Sequence, residues 1–340
     1  MSVSSPPDRA APVSGEPGPA ATPSPPVRRT RRRRYVLGGR FAPYAFVAPF
    51  FVLFAAFGLY PLIYTGWVSL HRVELSHPED SSWLGWSNYS NLLHNHFFWN
   101  ALKNTFTLGV ISTVPQLLMA LGLAHLLNYR LRGRTFFRVA MLIPYATSVA
   151  ATAIVFTQLF GRDFGIINAF LGMFGVDHIS WESGHWSSQI AISAMVTWRW
   201  TGYNALIYLA AMQAVPRELY ESAAIDGASK WQQFRYVTIP SLRPTILFTV
   251  VVSTIGATQL FGEPLLFGGI SGHLGGSSHQ YQTLGLLMYD QGWFNGHLGR
   301  AAATAWTMFL LIVVVVLINV RIVGGRLREP RTVQTKAVAR

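Results

Sequence analysis

Apolar residues along this 340-residue chain gather into long blocks and do not recur at the period of a surface helix or strand. The blocks lie at roughly 44–70, 103–127, 136–160, 190–213, 244–268 and 301–323, each near the ~20 residues that cross a hydrocarbon core of about 30 Å. The pattern predicts an all-α integral membrane fold with six transmembrane helices spread over residues 41–325. Pro115 falls inside the second block and Pro144 inside the third, each freeing a backbone carbonyl that a neighbouring helix, a hydroxyl or water must satisfy. Thr147 and Ser148 are close enough in sequence to help.

Composition agrees with a bilayer. Hydrophobic residues make up 51% of the chain and charged ones 12%, too few to cover a water-soluble surface of this size. Residues 1–40 are rich in Pro, Ala, Ser and Gly, then basic from Arg28 to Arg34, and read as a disordered cytoplasmic tail; residues 326–340 read as a second cytoplasmic tail. The net charge of +13 resides in segments that flank or join the blocks, with no basic stripe in a folded domain, so nucleic acid is not the expected partner. Arg130, Arg132, Arg134 and Arg138 follow the second block, and Arg217, Lys230, Arg235 and Arg243 follow the fourth. The loops between them are acidic, with Glu79, Asp80, Asp163, Asp177, Glu182 and Asp290. Retention of positive charge on the cytoplasmic side therefore places both termini inside and the acidic loops outside. Trp83, Trp86, Trp99, Trp181, Trp186 and Trp293 fall in those outer segments, as expected of an interfacial aromatic belt.

The segment 214–240, between the fourth and fifth blocks, is too amphipathic for a plain connector. Pro216 suits a first helical turn, Glu218 and Glu221 suit its positive end, and Gly227 suits its stop. A second short helical stretch carries Trp231, Phe234 and Val237 to Pro240. A short helix bearing acids and aromatics between two spans has the form that fits a groove on another protein.

This segment resembles the signature of the permease subunits of bacterial binding-protein-dependent ABC importers: E-A-A, three residues, G, nine residues, then I-x-L-P. Glu221 and Gly227 stand at the acid and the glycine, Ala223 at the second alanine with Ser222 replacing the first, and Val237, Ile239 and Pro240 at I, L and P. The resemblance implies a type I ABC importer permease-like fold whose 216–240 loop is a coupling helix docked on an ATPase. Glu221, Ala223, Asp226, Gly227, Trp231, Phe234 and Pro240 are its candidate coupling residues. Stretches 83–89, 98–105, 137–145 and 261–265 further resemble the carbohydrate branch found in maltose, lactose and glycerol-phosphate importers, although no proline follows the pair Gly268 and Gly269. The resemblance implies import of a di- or oligosaccharide, or otherwise of a polyol or glycerol-phosphate-type solute. It implies a multi-pass protein of the bacterial cytoplasmic membrane, in contact with membrane lipid. It also implies a second homologous permease completing a heterodimer, two ATPase subunits and an extracytoplasmic sugar-binding protein.

Candidate substrate-path groups are those of polar character at membrane depth. Arg199 lies about ten residues into the fourth block, where a charge costs about 2.5–3.5 kcal/mol on insertion scales, so it must face water or an acid. Glu263 is the nearest acid by depth; Asn204, Tyr208, Thr258 and Gln259 add amide or hydroxyl groups suited to a sugar. No G-x-x-x-x-G-K-[ST] occurs, so ATP and magnesium are expected on the partner ATPases, with no cofactor on this chain and no enzymatic role for it. The ten histidines form no H-E-x-x-H, Cys is absent, and no metal site is expected. An ATP-independent secondary transporter would need intramembrane acids and usually a repeat; Glu263 is the one clear such acid and no repeat is recognisable.

Overall fold

The computed structural model describes residues 42–129, 132–268 and 274–325; the two expected tails, 1–40 and 326–340, lie outside the described residues. The chain divides into two units at Ala55. The first contributes α1 (Ala42–Phe54), an apolar helix in which the four-residue spacing of Phe50 and Phe54 stacks their rings with centroids 6.2 Å apart.

The second unit holds the remaining elements. After a π-helical turn at Ala55–Leu59 come α2 (Tyr60–Ser69) and an antiparallel hairpin of β1 (His71–Glu74) and β2 (His77–Trp83), pairing His71 with Trp83 and Glu74 with His77. The hairpin corrects the all-α expectation: the fold is mostly helical. Burial in β1 alternates, His71 and Val73 in and Arg72 and Glu74 out, which is the period of a strand over a stretch too short to have been read from hydropathy.

Next come α3 (Ser87–His94) and α4 (His96–Asn128). α4 starts before the expected 103 because Asn95 caps it, its Oδ1 accepting from the Phe97 N–H at 2.9 Å. The expected span 136–160 is two helices, α5 (Arg134–Ala146) and α6 (Val149–Leu159), bent by 93°. Pro144 weakens the last turn of α5, Thr147 and Ser148 are extended, and Ser148 Oγ then caps α6 by accepting from the Ala151 N–H at 3.1 Å.

A short α7 (Ile166–Gly172) precedes α8 (His185–Gln213). The segment after α8 forms α9 (Arg217–Ile225), α10 (Lys230–Gln233), a π-helical turn at Phe234–Thr238 and α11 (Ile239–Ser241). The expected span 244–268 is α12 (Arg243–Thr258) and a separate α13 (Gly262–Phe267), interrupted at Phe261. Then follow α14 (Leu284–Tyr289), a π-helical turn at Asp290–Phe294 and α15 (Leu298–Gly325).

Among the described residues, three helices are long and apolar enough to cross a membrane: Tyr44–Ser69, His96–Asn128 and Leu298–Arg321. The count reaches five if the bent pairs Arg134–Ala146 with Val149–Leu159, and Lys230–Ser241 with Arg243–Thr258, each form one span. The helix expected at 190–213 exists as α8 but falls outside that count, because Ser188, Gln189, Ser193, Arg199, Thr201 and Asn204 dilute its apolar character. All six of those side chains are buried, so α8 is an interior helix.

α4 and α8 pack along each other through residues with little or no side chain. Ala120 and Ala124 on α4 and Ala191 and Ala205 on α8 are fully buried. Small residues let backbones approach, and close packing, more than water exclusion, holds helices together in lipid. Gly202 applies the same rule against α5: a Cβ there would overlap the Met141 carbonyl oxygen. Two core clusters flank the middle of α8. One joins Leu108, Phe160, Ile192, Val196 and Phe267; the other joins Leu127, Tyr208, Leu209, Met212, Phe234 and Leu242.

Candidate functional site

Arg199 stands 14 residues from either end of the helix His185–Gln213, roughly 21 Å from each at 1.5 Å per residue. Its Nη1 donates to Glu263 Oε1 at 2.6 Å, and the two residues are only 8% and 6% exposed. Its Nη2 donates to the Thr147 carbonyl at 3.5 Å, at the break between α5 and α6. One guanidinium thus joins three elements: α8, the first turn of α13 and the backbone opened between α5 and α6. The buried Nε has no hydrogen-bond partner among the described residues and is the group's open donor. A charge pair of this kind is costly to desolvate and holds only with good geometry, so its presence is weak evidence of added stability.

The other polar candidates separate from this pair. Tyr208 is buried in the core, its hydroxyl 2.6 Å from Thr249 Oγ1 on α12. Asn204 is buried and donates to the Trp200 carbonyl at 3.4 Å, and Thr258 donates to the Thr254 carbonyl at 2.8 Å. These three serve packing within and between helices. Gln259 is exposed at the end of α12.

The 216–240 segment is built as its residues dictate. α9 begins after Pro216, has Glu218 in its first turn and ends in a Schellman closure, with Gly227 N–H donating to Ala224 O at 3.1 Å and Ala228 N–H to Ala223 O at 2.9 Å. Gly227 has φ +79°, a conformation that disfavours any Cβ, while a Cβ there would meet nothing within 4 Å. The glycine is required within this chain by backbone conformation alone. Ser229 and Gln232 then form a reciprocal capping box that starts α10.

No side chain of α9 is buried. Glu221, Asp226, Gly227 and Trp231 are exposed, and Ile225 is 87% exposed, whereas Ala223 and Pro240 are half-buried. Phe234 is the root of the segment: it is buried beside Leu127 and Met212, and its ring centroid is 4.3 Å from that of His125 on α4. Ile225 and Trp231 are thus apolar side chains held out on a fixed, mostly uncovered turn.

Sequence reading missed a network of buried amides at the opposite ends of α4 and α8. Asn104 Nδ2 donates to the carbonyls of His279 and Gln282 at 2.9 and 3.2 Å, and Gln189 Nε2 donates to Asn104 Oδ1 and the Gln280 carbonyl, both at 3.1 Å. These amides pin the loop before α14 onto the bundle. Their signal in the sequence was an amide at the edge of an apolar block, Asn104 and Gln189, indistinguishable there from ordinary helix packing. Trp181, expected in the interfacial belt, is instead buried and donates to Asn168 Oδ1 at 2.9 Å; Trp83, Trp86, Trp99, Trp186 and Trp293 are exposed. In the same loop region, burial and the nearby Glu182 carboxylate push the Tyr281 hydroxyl up to about 12. Burial also raises the Asp290 carboxyl above its ordinary value, against the opposing effects of His279 and a hydrogen bond from Asn295.

Residues 116–329 match the family model described as "Binding-protein-dependent transport system inner membrane component". The arabinooligosaccharides transport system permease protein AraP of Halalkalibacterium halodurans is 33% identical over 290 residues, covering 84% of this chain and 89% of that protein. The lactose transport system permease protein LacF of Rhizobium radiobacter is 35% identical over 291 residues, covering 84% and 94%. The sn-glycerol-3-phosphate transport system permease protein UgpA of Escherichia coli is 32% identical over 299 residues, covering 87% and 98%. In fold, the chain is similar to a chain of a bacterial alginate ABC transporter in complex with alginate pentasaccharide-bound periplasmic protein, with TM-score 0.71, 20% identity, and 85% and 96% of the two chains covered.

Proposed function

Because this chain belongs to the family of binding-protein-dependent transport system inner membrane components, we propose that it is the permease subunit of an ATP-driven importer of a di- or oligosaccharide. The observation that carries the mechanism is the construction of residues 216–240: a capped, exposed helix and turn on a buried root at Phe234, joined to two long helices. Glu221, Ala223, Asp226, Gly227 and Trp231 face a cleft on an ATPase subunit, and Phe234 and Pro240 transmit its movement to α4, α8 and α12. ATP and magnesium bind on two such ATPases. A second, homologous permease and an extracytoplasmic sugar-binding protein complete the assembly.

In this reading α8 is a sixth span, with a polar face turned to its own bundle and its middle held by Arg199 and Glu263. Both termini and the 216–240 loop lie in the cytoplasm, and the β-hairpin and α14 lie outside. Alternating access is a change in how the bent elements meet: Arg199 ties the α5–α6 break to α13, so closure of the ATPases beneath is felt at the point where three elements converge. The sugar passes beside this junction, with the open Nε of Arg199 and the exposed amide of Gln259 as polar contacts. Asn204 and Tyr208 act on the path through the packing of α8. The similarity to UgpA favours a second reading, a glycerol-phosphate-type solute, which is separated by substrate.

The test is reconstitution of the chain with its neighbouring permease and ATPases in proteoliposomes. Sugar-loaded binding protein is expected to stimulate ATP hydrolysis and uptake of that sugar together. Hydrolysis that no loaded binding protein stimulates overturns the importer reading; stimulation by glycerol 3-phosphate but by no sugar selects the second.

A further inference from the structure

A cavity of about 670 Å³ opens among α3, the start of α4, the loop before α14, the turn after it and the start of α15, with Asn91, Asn95, Phe97, Gln282, Asp290 and Arg300 in its wall. It is distinct from the Arg199 junction. Gln189, which fastens the cavity's loop, lies ten residues before Arg199 on the same helix, roughly 15 Å along its axis. We propose that this cavity is a binding site for a neutral oligosaccharide, at which the sugar is received from outside before it enters the bundle. The side of the membrane rests on the orientation given above.

Four observations carry the assignment. Gln282 is 1% exposed, lines the cavity, and its Oε1 has no hydrogen-bond partner among the described residues. A buried acceptor left open calls for a donor, and a sugar hydroxyl supplies one. Its placement is fixed, since Asn104 of α4 holds the Gln282 carbonyl at 3.2 Å. Second, the wall is rich in amides, each of which offers both a donor and an acceptor, as each sugar hydroxyl does.

Third, Phe97 presents a ring that is 46% exposed, steadied by the His279 imidazole edge-on with centroids 4.7 Å apart. A braced aromatic face covers the C–H face of a pyranose or furanose. Fourth, among the described residues the wall's carboxyl and guanidinium, Asp290 and Arg300, offset one another beside two imidazoles, His279 and His297, so the wall carries no strong charge of one sign. A neighbouring cavity of about 180 Å³ shares Asn88, Asn91, His297 and Arg300 with the first. The two share a wall and together leave room for more than one sugar ring, and the larger cavity alone falls within the ~300–1,000 Å³ of small-molecule sites.

The experiment uses the whole transporter in nanodiscs without its binding protein, titrated with arabinotriose, lactose or trehalose and, as the anionic control, glycerol 3-phosphate, with binding read by saturation-transfer difference NMR. At least one neutral sugar is expected to bind, and glycerol 3-phosphate is expected not to compete. Gln282→Leu and Asn91→Leu should each weaken that binding at least fivefold; Asn91 is exposed, so its replacement leaves the fold intact even where Gln282→Leu does not. Failure of all three sugars to bind, or an unchanged affinity in Asn91→Leu together with folded Gln282→Leu, overturns the site. So does weaker docking of the binding protein in these variants with no sugar bound by the transporter alone, which makes the cavity a protein seat. Loss of the site with sugar-stimulated ATP hydrolysis intact leaves the importer reading standing; loss of that stimulation in the unaltered transporter removes the importer reading itself.

Discussion

Tyr220 and Thr238 meet hydroxyl to hydroxyl at 3.0 Å, tying the exposed helix Arg217–Ile225 to the buried end of the π-helical turn that leads back into α12. α9 buries none of its own side chains, so this contact is a principal constraint on its angle. A partly buried neutral hydrogen bond is worth about 0.5–1.5 kcal/mol. Tyr220→Phe keeps the ring and removes the bond. The expected outcome is a normally inserted protein in which transport falls about two- to tenfold relative to ATP hydrolysis, measured as sugar molecules moved per ATP in proteoliposomes. Unchanged stoichiometry shows that α9 is positioned by its partner instead.

Gly227 separates conformation from contact. Its φ of +79° makes a Cβ unfavourable by about 1–2 kcal/mol, yet no neighbour in this chain would collide with one. Gly227→Ala should therefore insert and fold, with a modest loss of uptake. Gly227→Asp adds charge and bulk where the proposed docking brings an ATPase surface close, and it should abolish uptake while membrane insertion, judged by protease protection, stays normal. Equal uptake by the two variants removes the docking role from this turn.

The legible part of this molecule was local. Pro216, Glu218 and Gly227 mark their helix ends by elementary chain chemistry, and α9 ends where they predict. The six apolar blocks were visible because length and hydropathy are averages over many residues. The breaks were less so: Pro144 announced a disturbance, but the 93° turn depends on Ser148 capping a new helix, a choice made by tertiary contacts at one residue. Asn104, Gln189 and Gln282 were illegible for a different reason. Asn104 and Gln189 sit at the edges of apolar blocks and Gln282 in a polar loop, and only the folding of chain segments far apart in sequence makes them a network.

The Arg199–Glu263 pair predicts strong non-additivity. Removing one partner leaves a buried, uncompensated charge, which costs about 3–5 kcal/mol, whereas replacing both with apolar groups of similar volume is often neutral. Arg199→Met and Glu263→Met alone should each lower the unfolding temperature in detergent sharply, and the double replacement should recover most of it. Uptake separates the roles: a double variant that is stable but inactive assigns the pair to the transport cycle, and one that is stable and active confines it to assembly.

Gly202 tests the packing of α8 against α5. Its absent side chain is the space taken by the Met141 carbonyl, so Gly202→Ala must push the helices apart at a contact of backbone with backbone, which has no flexible end to yield. Overpacking of this kind costs about 1–3 kcal/mol. The unfolding temperature should fall, and Gly202→Val should fail to accumulate in the membrane; a Gly202→Ala protein as stable as the parent contradicts the close approach.

Asp290 gives a pH dependence whose sign follows from its environment. Burial raises its folded-state carboxyl value above the ordinary one, with His279 and Asn295 opposing but not reversing the shift. The folded protein therefore holds a proton that the unfolded chain has already released, and stability falls as pH rises from the ordinary carboxylate range through the raised value. Asp290→Asn cannot ionise and lacks this penalty. The variant's unfolding temperature relative to the parent should be most favourable near neutral pH and should lose that advantage as the medium is taken down to about pH 4, where the parent carboxyl is protonated in the fold as well. The group is partly solvated, so the effect is a small shift in melting temperature, read from the difference between the two proteins at each pH, because other carboxyls titrate equally in both and cancel. An advantage that grows on acidification would mean that Asp290 is held in its charged form by its neighbours, and the burial of this part of the cavity wall would have to be reassigned.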